Sequence, residues 1–392
     1  MSFRSTLALL KVPHFAPSLL AMLLTVLAEA LAGTFMALLA VQKIGMSPIE
    51  LTLFMTLASA AAIGVTTLFG HFHDKKPVLW PLLLALAAKA VGFVLCALVS
   101  DAWALITIGF TLLGLGSASF SLVFAIAKGH LDQVGGDTVA RGMASLRMMS
   151  SLAWAIGPAM GAILVAFWSF EGIYFGAASL ALLALVTVIA TGLKVVPADL
   201  AGRRRVDLAT VRGVAPVALA LTAFQAALFM SATVMSIVVV QDLGTEIDVG
   251  LLFSLCAACE VVIMALFVMR PVARRIRALL LIGFAILTLQ LLLMLIPSLP
   301  LFFVGMVPRA VAIAIIAILG MNYVQDMLPG RPGAAAAVYG NAGSAGALVS
   351  GLGTGLWAGA FGFWSVFGLT AALAALGLLA ILISRPPEPA RA

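Results

Sequence analysis

Apolar residues run in blocks of about twenty along the whole chain, and short polar or basic stretches separate them. Roughly 20 apolar residues in a helix cross about 30 Å of hydrocarbon. Lipid offers no partner to a free N–H or C=O, so each block is expected to close its backbone hydrogen bonds as a helix. The pattern predicts twelve spans, over 17–40, 50–69, 78–99, 103–127, 143–167, 174–193, 214–239, 250–268, 279–297, 300–321, 335–359 and 364–383. Connections of two or three residues, at Ser100 to Ala102, Glu171 to Ile173 and Ser298 to Leu299, make the flanking helices antiparallel neighbours.

One loop is longer and more basic than the others. It runs from Lys194 to Gly213, carries Pro197, Gly202 and Arg203-Arg204-Arg205, and divides the spans six and six. The halves align at an offset of 199: Val41-Gln42-Lys43-Ile44-Gly45 falls on Val240-Gln241-Asp242-Leu243-Gly244, Phe54 on Phe253, and Lys75-Lys76 on Arg274-Arg275. The expected fold is an all-α membrane protein of two pseudo-symmetric six-helix bundles, 1–193 and 214–392, joined by a cytoplasmic linker over 194–213. Parallel six-span repeats are the plan of transporters that hold their substrate at the bilayer midplane between the halves.

Composition narrows the class. With 64% hydrophobic and 9% charged residues and a mean hydropathy of +1.21, a soluble domain is excluded. The net charge of +7 is spread between spans rather than gathered in one patch, so it does not indicate nucleic acid. With the N-terminus in the cytoplasm, the loop lysines and arginines fall on that side except Lys43, which places both termini there. The first span is too long, and with Glu29 too polar, for a signal-peptide core. The cysteines Cys96, Cys256 and Cys259 lie inside spans, which suits apolar packing better than a metal or redox site. No nucleophile, cofactor motif or metal-ligand spacing is present in the spans, so an enzyme is not expected.

Charges inside apolar spans carry the chemistry, because each is costly in hydrocarbon and usually faces a wet cavity or a partner. Glu29 in span 1 and Glu260 in span 8 are the acids that could carry a coupling proton; a hydrogen-bonded acid that only joins helices is the alternative for Glu29. Arg147 in span 5 and Arg309 in span 10 are expected to form ion pairs or a polar network with them. Gln225 lies one helical turn from the repeat equivalent of Glu29 and could bind a hydroxylated solute or simply bond a neighbouring helix. Lys89 in span 3 and Gln290 in span 9 are expected to serve packing or snorkelling. Gly157-Pro158-x-x-Gly161 marks where span 5 can bend and pack closely.

Gly70-x-x-x-Asp74-Lys75 between spans 2 and 3 resembles the loop signature of the major facilitator superfamily, with Pro77 in place of its second glycine. Three further segments resemble the bacterial sugar efflux transporters within it. They are Phe124 to Lys128 leading into Leu146-Arg147 and Ser151 to Pro158, then Ala257-Ala258-Cys259-Glu260, and Met321 to Gly330 followed by Tyr339 and Asn341. The resemblance implies proton-coupled export of sugars or sugar-like solutes by a monomer in the bacterial inner membrane. On the matched positions it makes Arg147, Glu260, Tyr323, Gln325, Asp326 and Asn341 candidates for function. Together with the readings from the residues, Arg147, Gln225, Arg309, Asn322, Tyr323 and Asn341 are the substrate-side candidates, and Asp74, Lys75, Asp326 and Arg274 the gate candidates. Leu228 and Phe229 stand where the family has polar side chains, and Glu29 has no counterpart there. A drug/proton antiporter exporting amphipathic or cationic compounds therefore stays open as the alternative.

Overall fold

The structure is a computed structural model and describes residue 9 and residues 12–75, 78–135, 137–196, 208–269, 276–328 and 332–384. Among these residues every regular element is helical. The helices are α1 (Phe15–Leu38), α2 (Pro48–Lys75), α3 (Trp80–Leu98), α4 (Ala102–Ile108), α5 (Ala118–Val134), α6 (Asp137–Ala190), α7 (Leu208–Val238), α8 (Glu246–Met269), α9 (Ile276–Leu293), α10 (Leu299–Met327), α11 (Pro332–Phe361) and α12 (Ser365–Ile383). A π-helical turn, Gly109–Leu113, and the single turn Gly114–Gly116 join α4 and α5 into one apolar stretch.

Ten helical stretches among the described residues are long and apolar enough to cross a membrane. The 50-residue stretch Arg141–Ala190 contains two helical segments, because Trp168 and Ser169 leave helical geometry, Ser169 at φ 55°. The 30-residue α11 is not among the ten; its many glycines, with serine and asparagine, lower its hydropathy. Counting both segments of α6 and adding α11 gives the twelve spans expected from the sequence, whereas length and apolarity alone give ten.

The chain divides into two compact units, residues 1–46 with 57–201, and residues 47–56 with 202–392. The first is packed around Phe15, Met22, Leu86, Leu122, Leu146 and Val188, and the second around Phe224, Phe284, Leu287, Ile316 and Ala374. Large apolar side chains such as Phe167, Val262, Leu289 and Val304 are exposed, as suits a surface solvated by lipid tails. Lipid is as apolar as leucine, so helix association depends on close van der Waals fit and small residues at the contacts.

The repeat is visible in local detail. α1 and α7 both end in π-helical turns, Leu39–Lys43 and Val239–Leu243. Each is followed by a helix start capped by an acid three residues on, in which Glu50 accepts from Ser47 N–H at 2.8 Å and Asp248 from Thr245 N–H at 2.8 Å; at Ser47 the bond is returned, Glu50 N–H donating to Ser47 Oγ at 3.3 Å. These features lie one residue either side of the 199 offset, so the alignment slips locally although its sequence match is ungapped.

Candidate functional site

Glu29 sits in the middle of α1 and its Oε2 accepts a hydrogen bond from Lys89 Nζ of α3 at 3.1 Å. The ammonium is deeply buried, with 4% of the Lys89 side chain exposed, whereas 47% of the Glu29 side chain is exposed. Close helix packing accounts for the burial. Gly116 lies directly against Lys89, so that a Cβ there would come within 2.8 Å of the Lys89 Cβ and 3.0 Å of its Cα. This corrects two expectations. Lys89 is the ion-pair partner of Glu29 rather than a snorkelling or packing residue, and Arg147 is exposed on α6 with no ion pair among the described residues. The clue in the sequence was a lysine and a glutamate each at mid-span; which faces of spans 1 and 3 met was not readable from periodicity.

The same part of α1 receives α6. A Cβ on Gly157 would lie 2.6 Å from Ala30 Cβ and 3.1 Å from the Leu31 nitrogen, and Gly161 abuts the Phe35 ring. The glycines thus bring α6 flush against α1 immediately beside Glu29. Helix continues through Pro158, and the departure from helical dihedrals falls further on, at Trp168 and Ser169.

The second unit has its own polar knot. Arg309 of α10 is 3% exposed and donates to the Leu228 carbonyl at 3.2 Å and to Ser231 Oγ at 3.0 Å, both on α7. Leu228 is the repeat equivalent of Glu29, so both knots attach at the same point of the repeat, one through a carboxylate and the other through a backbone carbonyl. Glu260 of α8 is close enough to Arg309 for their charges to interact, but the expected ion pair is absent among the described residues. Hydrogen bonds to α7 take the guanidinium instead.

Gln225 is half-buried against the glycine face of α11, where a Cβ on Gly346 would meet its Cβ at 2.5 Å. Tyr323 is 1% exposed in the core of the second unit, its hydroxyl 3.2 Å from Ser384 Oγ. Asn322, Asp326 and Asn341 are exposed on α10 and α11. Gln290 is buried, and neither atom of its amide has a partner among the described residues. Arg274 lies outside the described residues, as do the linker arginines Arg203, Arg204 and Arg205 and the side chains of Asp74 and Lys75.

Aligned positions also tie the ends of the units. Lys43 binds Glu171 at 2.6 Å and the Ala97 carbonyl at 3.2 Å, and its repeat partner Asp242 accepts from Trp364 Nε1 at 2.7 Å. In each unit the first helix is thereby fastened to the segment between its last two. Elsewhere in the first unit, His14 stacks on His130 with ring centroids 5.0 Å apart, and His130 Nε2 lies 2.8 Å from the Lys194 carbonyl. Burial, with the neighbouring His130 and Lys194, holds the His14 imidazole below its ordinary pKa of 6.5.

Similarity to known proteins agrees with this architecture. The sequence pattern of the Major Facilitator Superfamily matches residues 18–215 and 217–392. A relative from Deinococcus radiodurans, provisionally named a sugar efflux transporter, is 35% identical over 386 residues, covering 95% of this chain and 99% of its own. Sugar efflux transporter A of Escherichia coli K12 is 26% identical over 363 residues, covering 90% and 91%. Among solved structures, nucleoside transporter NupG superposes with a TM-score of 0.75 at 14% identity over 93% of this chain and 98% of that one. A mutant peptide transporter POT with bound sulfate gives 0.77 at 13% identity, over 95% and 94%. At those identities the superpositions establish the fold, and the sequence matches establish descent: the chain is a multi-pass membrane transporter that belongs to the Major Facilitator Superfamily and, within it, to the family of the sugar efflux transporters.

Proposed function

We propose that this transporter exports sugars or sugar-like solutes across a bacterial inner membrane in exchange for protons, by alternating access, as a monomer with both termini in the cytoplasm. The observation that carries the reading is the 35% identity, along nearly the full length of both chains, to a relative named for sugar efflux. Glu260 is the acid we assign to the proton. It has no ion-pair partner among the described residues, and the nearby Arg309 spends hydrogen bonds on α7. Glu260 can therefore gain and release a proton without dismantling a pair. Glu29 cannot, since protonating it would leave the buried Lys89 ammonium without its acid. Arg147, Gln225, Asn322 and Asn341, all exposed or half-buried, are among the side chains available to a solute. Arg309 and Tyr323 act from within the second unit, by holding its helices, and Asp326 with Asp74, Lys75 and Arg274 serves the cytoplasmic gate.

The test uses purified protein in proteoliposomes, with labelled lactose and an imposed pH gradient. The gradient should drive lactose through the wild type, and Glu260→Gln should lose at least tenfold of that driven flux while lactose exchange without a gradient persists. Gradient-driven flux that survives Glu260→Gln removes the proton from Glu260. Transport of labelled tetraphenylphosphonium with none of lactose would favour the drug antiporter.

A further inference from the structure

We propose that Lys89 determines which charge the transporter accepts in its cargo. It neutralises Glu29 from inside the first unit and leaves that carboxylate as a fixed hydrogen-bond acceptor for uncharged hydroxylated solutes, a site that lipophilic cations do not gain from. The proposal rests on the reading of the chain as a solute exporter and assigns Lys89 a positioning role, since it touches Glu29 and not the cargo.

Four observations within the first unit lead there. The pair uses only Glu29 Oε2; Oε1 takes no hydrogen bond among the described residues, and nearly half of the side chain is exposed. A half-exposed carboxylate at mid-span cannot face hydrocarbon, so this side of α1 meets water or a polar ligand. Gly33, one helical turn further along α1 and so on the same side as Glu29, is exposed, and a Cβ built there would meet nothing within 4 Å. Open space therefore adjoins the carboxylate. Lys89 has little freedom to turn away, because it is 4% exposed and Gly116 presses on its backbone.

The chemistry follows from the net charge. A bare carboxylate beside an apolar wall would select amphipathic cations, which is what the sequence suggests when Glu29 is considered without a partner. Paired with a buried ammonium, the same group has no net charge to offer a cation, yet its second oxygen still accepts O–H donors. Discrimination against cations thus comes from a residue behind the site, by removing an attraction rather than adding a contact.

The experiment measures binding of two probes, labelled lactose and tetraphenylphosphonium, to the purified full-length protein, with its melting temperature recorded alongside. Lys89→Met should gain at least tenfold in tetraphenylphosphonium affinity, so that its preference for lactose over the cation falls at least tenfold. The double variant Glu29→Gln/Lys89→Met should lose the cation gain, and Lys89→Arg should restore the wild-type preference. A folded Lys89→Met that binds the cation no better than wild type overturns the proposal, as does a gain that survives in the double variant. If wild type binds no lactose, the sugar reading fails separately, while a cation gain confined to the single variant still supports the role of Lys89. Should Lys89→Met not fold, Gly33→Leu decides: it keeps the pair and fills the open space beside Glu29, so lactose binding must fall at least tenfold, and unchanged binding overturns the site.

Discussion

At the scale of single residues, the molecule separates mid-span polar groups by what satisfies them. Lys89 and Glu29 satisfy each other, and Arg309 is satisfied by a carbonyl and a hydroxyl of α7. Gln290 has neither kind of partner among the described residues, although it is almost fully buried in the second unit. Leaving a buried polar group unbonded costs about 1–3 kcal/mol, whereas an apolar group of similar shape carries no such penalty. Gln290→Leu is therefore expected to stabilise the protein by about 1 kcal/mol, seen as a higher melting temperature in detergent, with flux unchanged. A lower melting temperature would mean that the amide has a bonded role. The sequence already marked Gln290 as a packing residue, but its lack of a partner depends on which neighbours the fold supplies.

At the scale of elements, glycine decides how near two helices come. Gly157 and Gly161 allow α6 to lie on α1 at Ala30, Leu31 and Phe35, next to Glu29, and Gly116 does the same for Lys89. Gly157→Val should push α6 from α1, because its first carbon already falls 2.6 Å from Ala30 Cβ and the nearby atoms include backbone. Overpacking of this kind costs typically about 1–3 kcal/mol, and the shift would also disturb Glu29. The expected result is a lower melting temperature together with a larger loss of lactose flux than Gly33→Ala causes, since a Cβ at Gly33 meets open space. The sequence showed that span 5 carried an unusual Gly-Pro-x-x-Gly element. It did not show that span 1 was the surface the element served, because small residues report closeness without naming the neighbour.

At the scale of the whole molecule, stability should depend on pH through the cluster where α1 begins, α5 ends and the chain leaves toward the linker. His14 is held below its ordinary pKa, with His130 and Lys194 as the charged or titratable groups facing it. The folded state then binds fewer protons at this site than the unfolded chain. Its contribution is present above about pH 6.5, the unfolded value, and is lost as pH falls toward the lower folded value. Melting temperature should therefore decline on acidification through that window, with a shallower slope in His14→Gln; an unchanged slope would remove His14 as a source. The sequence by itself determined the class: apolar blocks, basic loops and an ungapped repeat fixed a membrane protein of two related halves, because bilayer thickness and backbone satisfaction leave few other solutions. It also selected Glu29, Glu260 and Arg309, since charge inside hydrocarbon stands out in any chain. Only the tertiary structure decided the partners, giving Glu29 to Lys89 and Arg309 to α7 while leaving Glu260 without an ion pair among the described residues. Pairing depends on which helix faces meet across a distance of about 3 Å, and a span that is apolar almost all round has no hydrophobic period to announce its inward face.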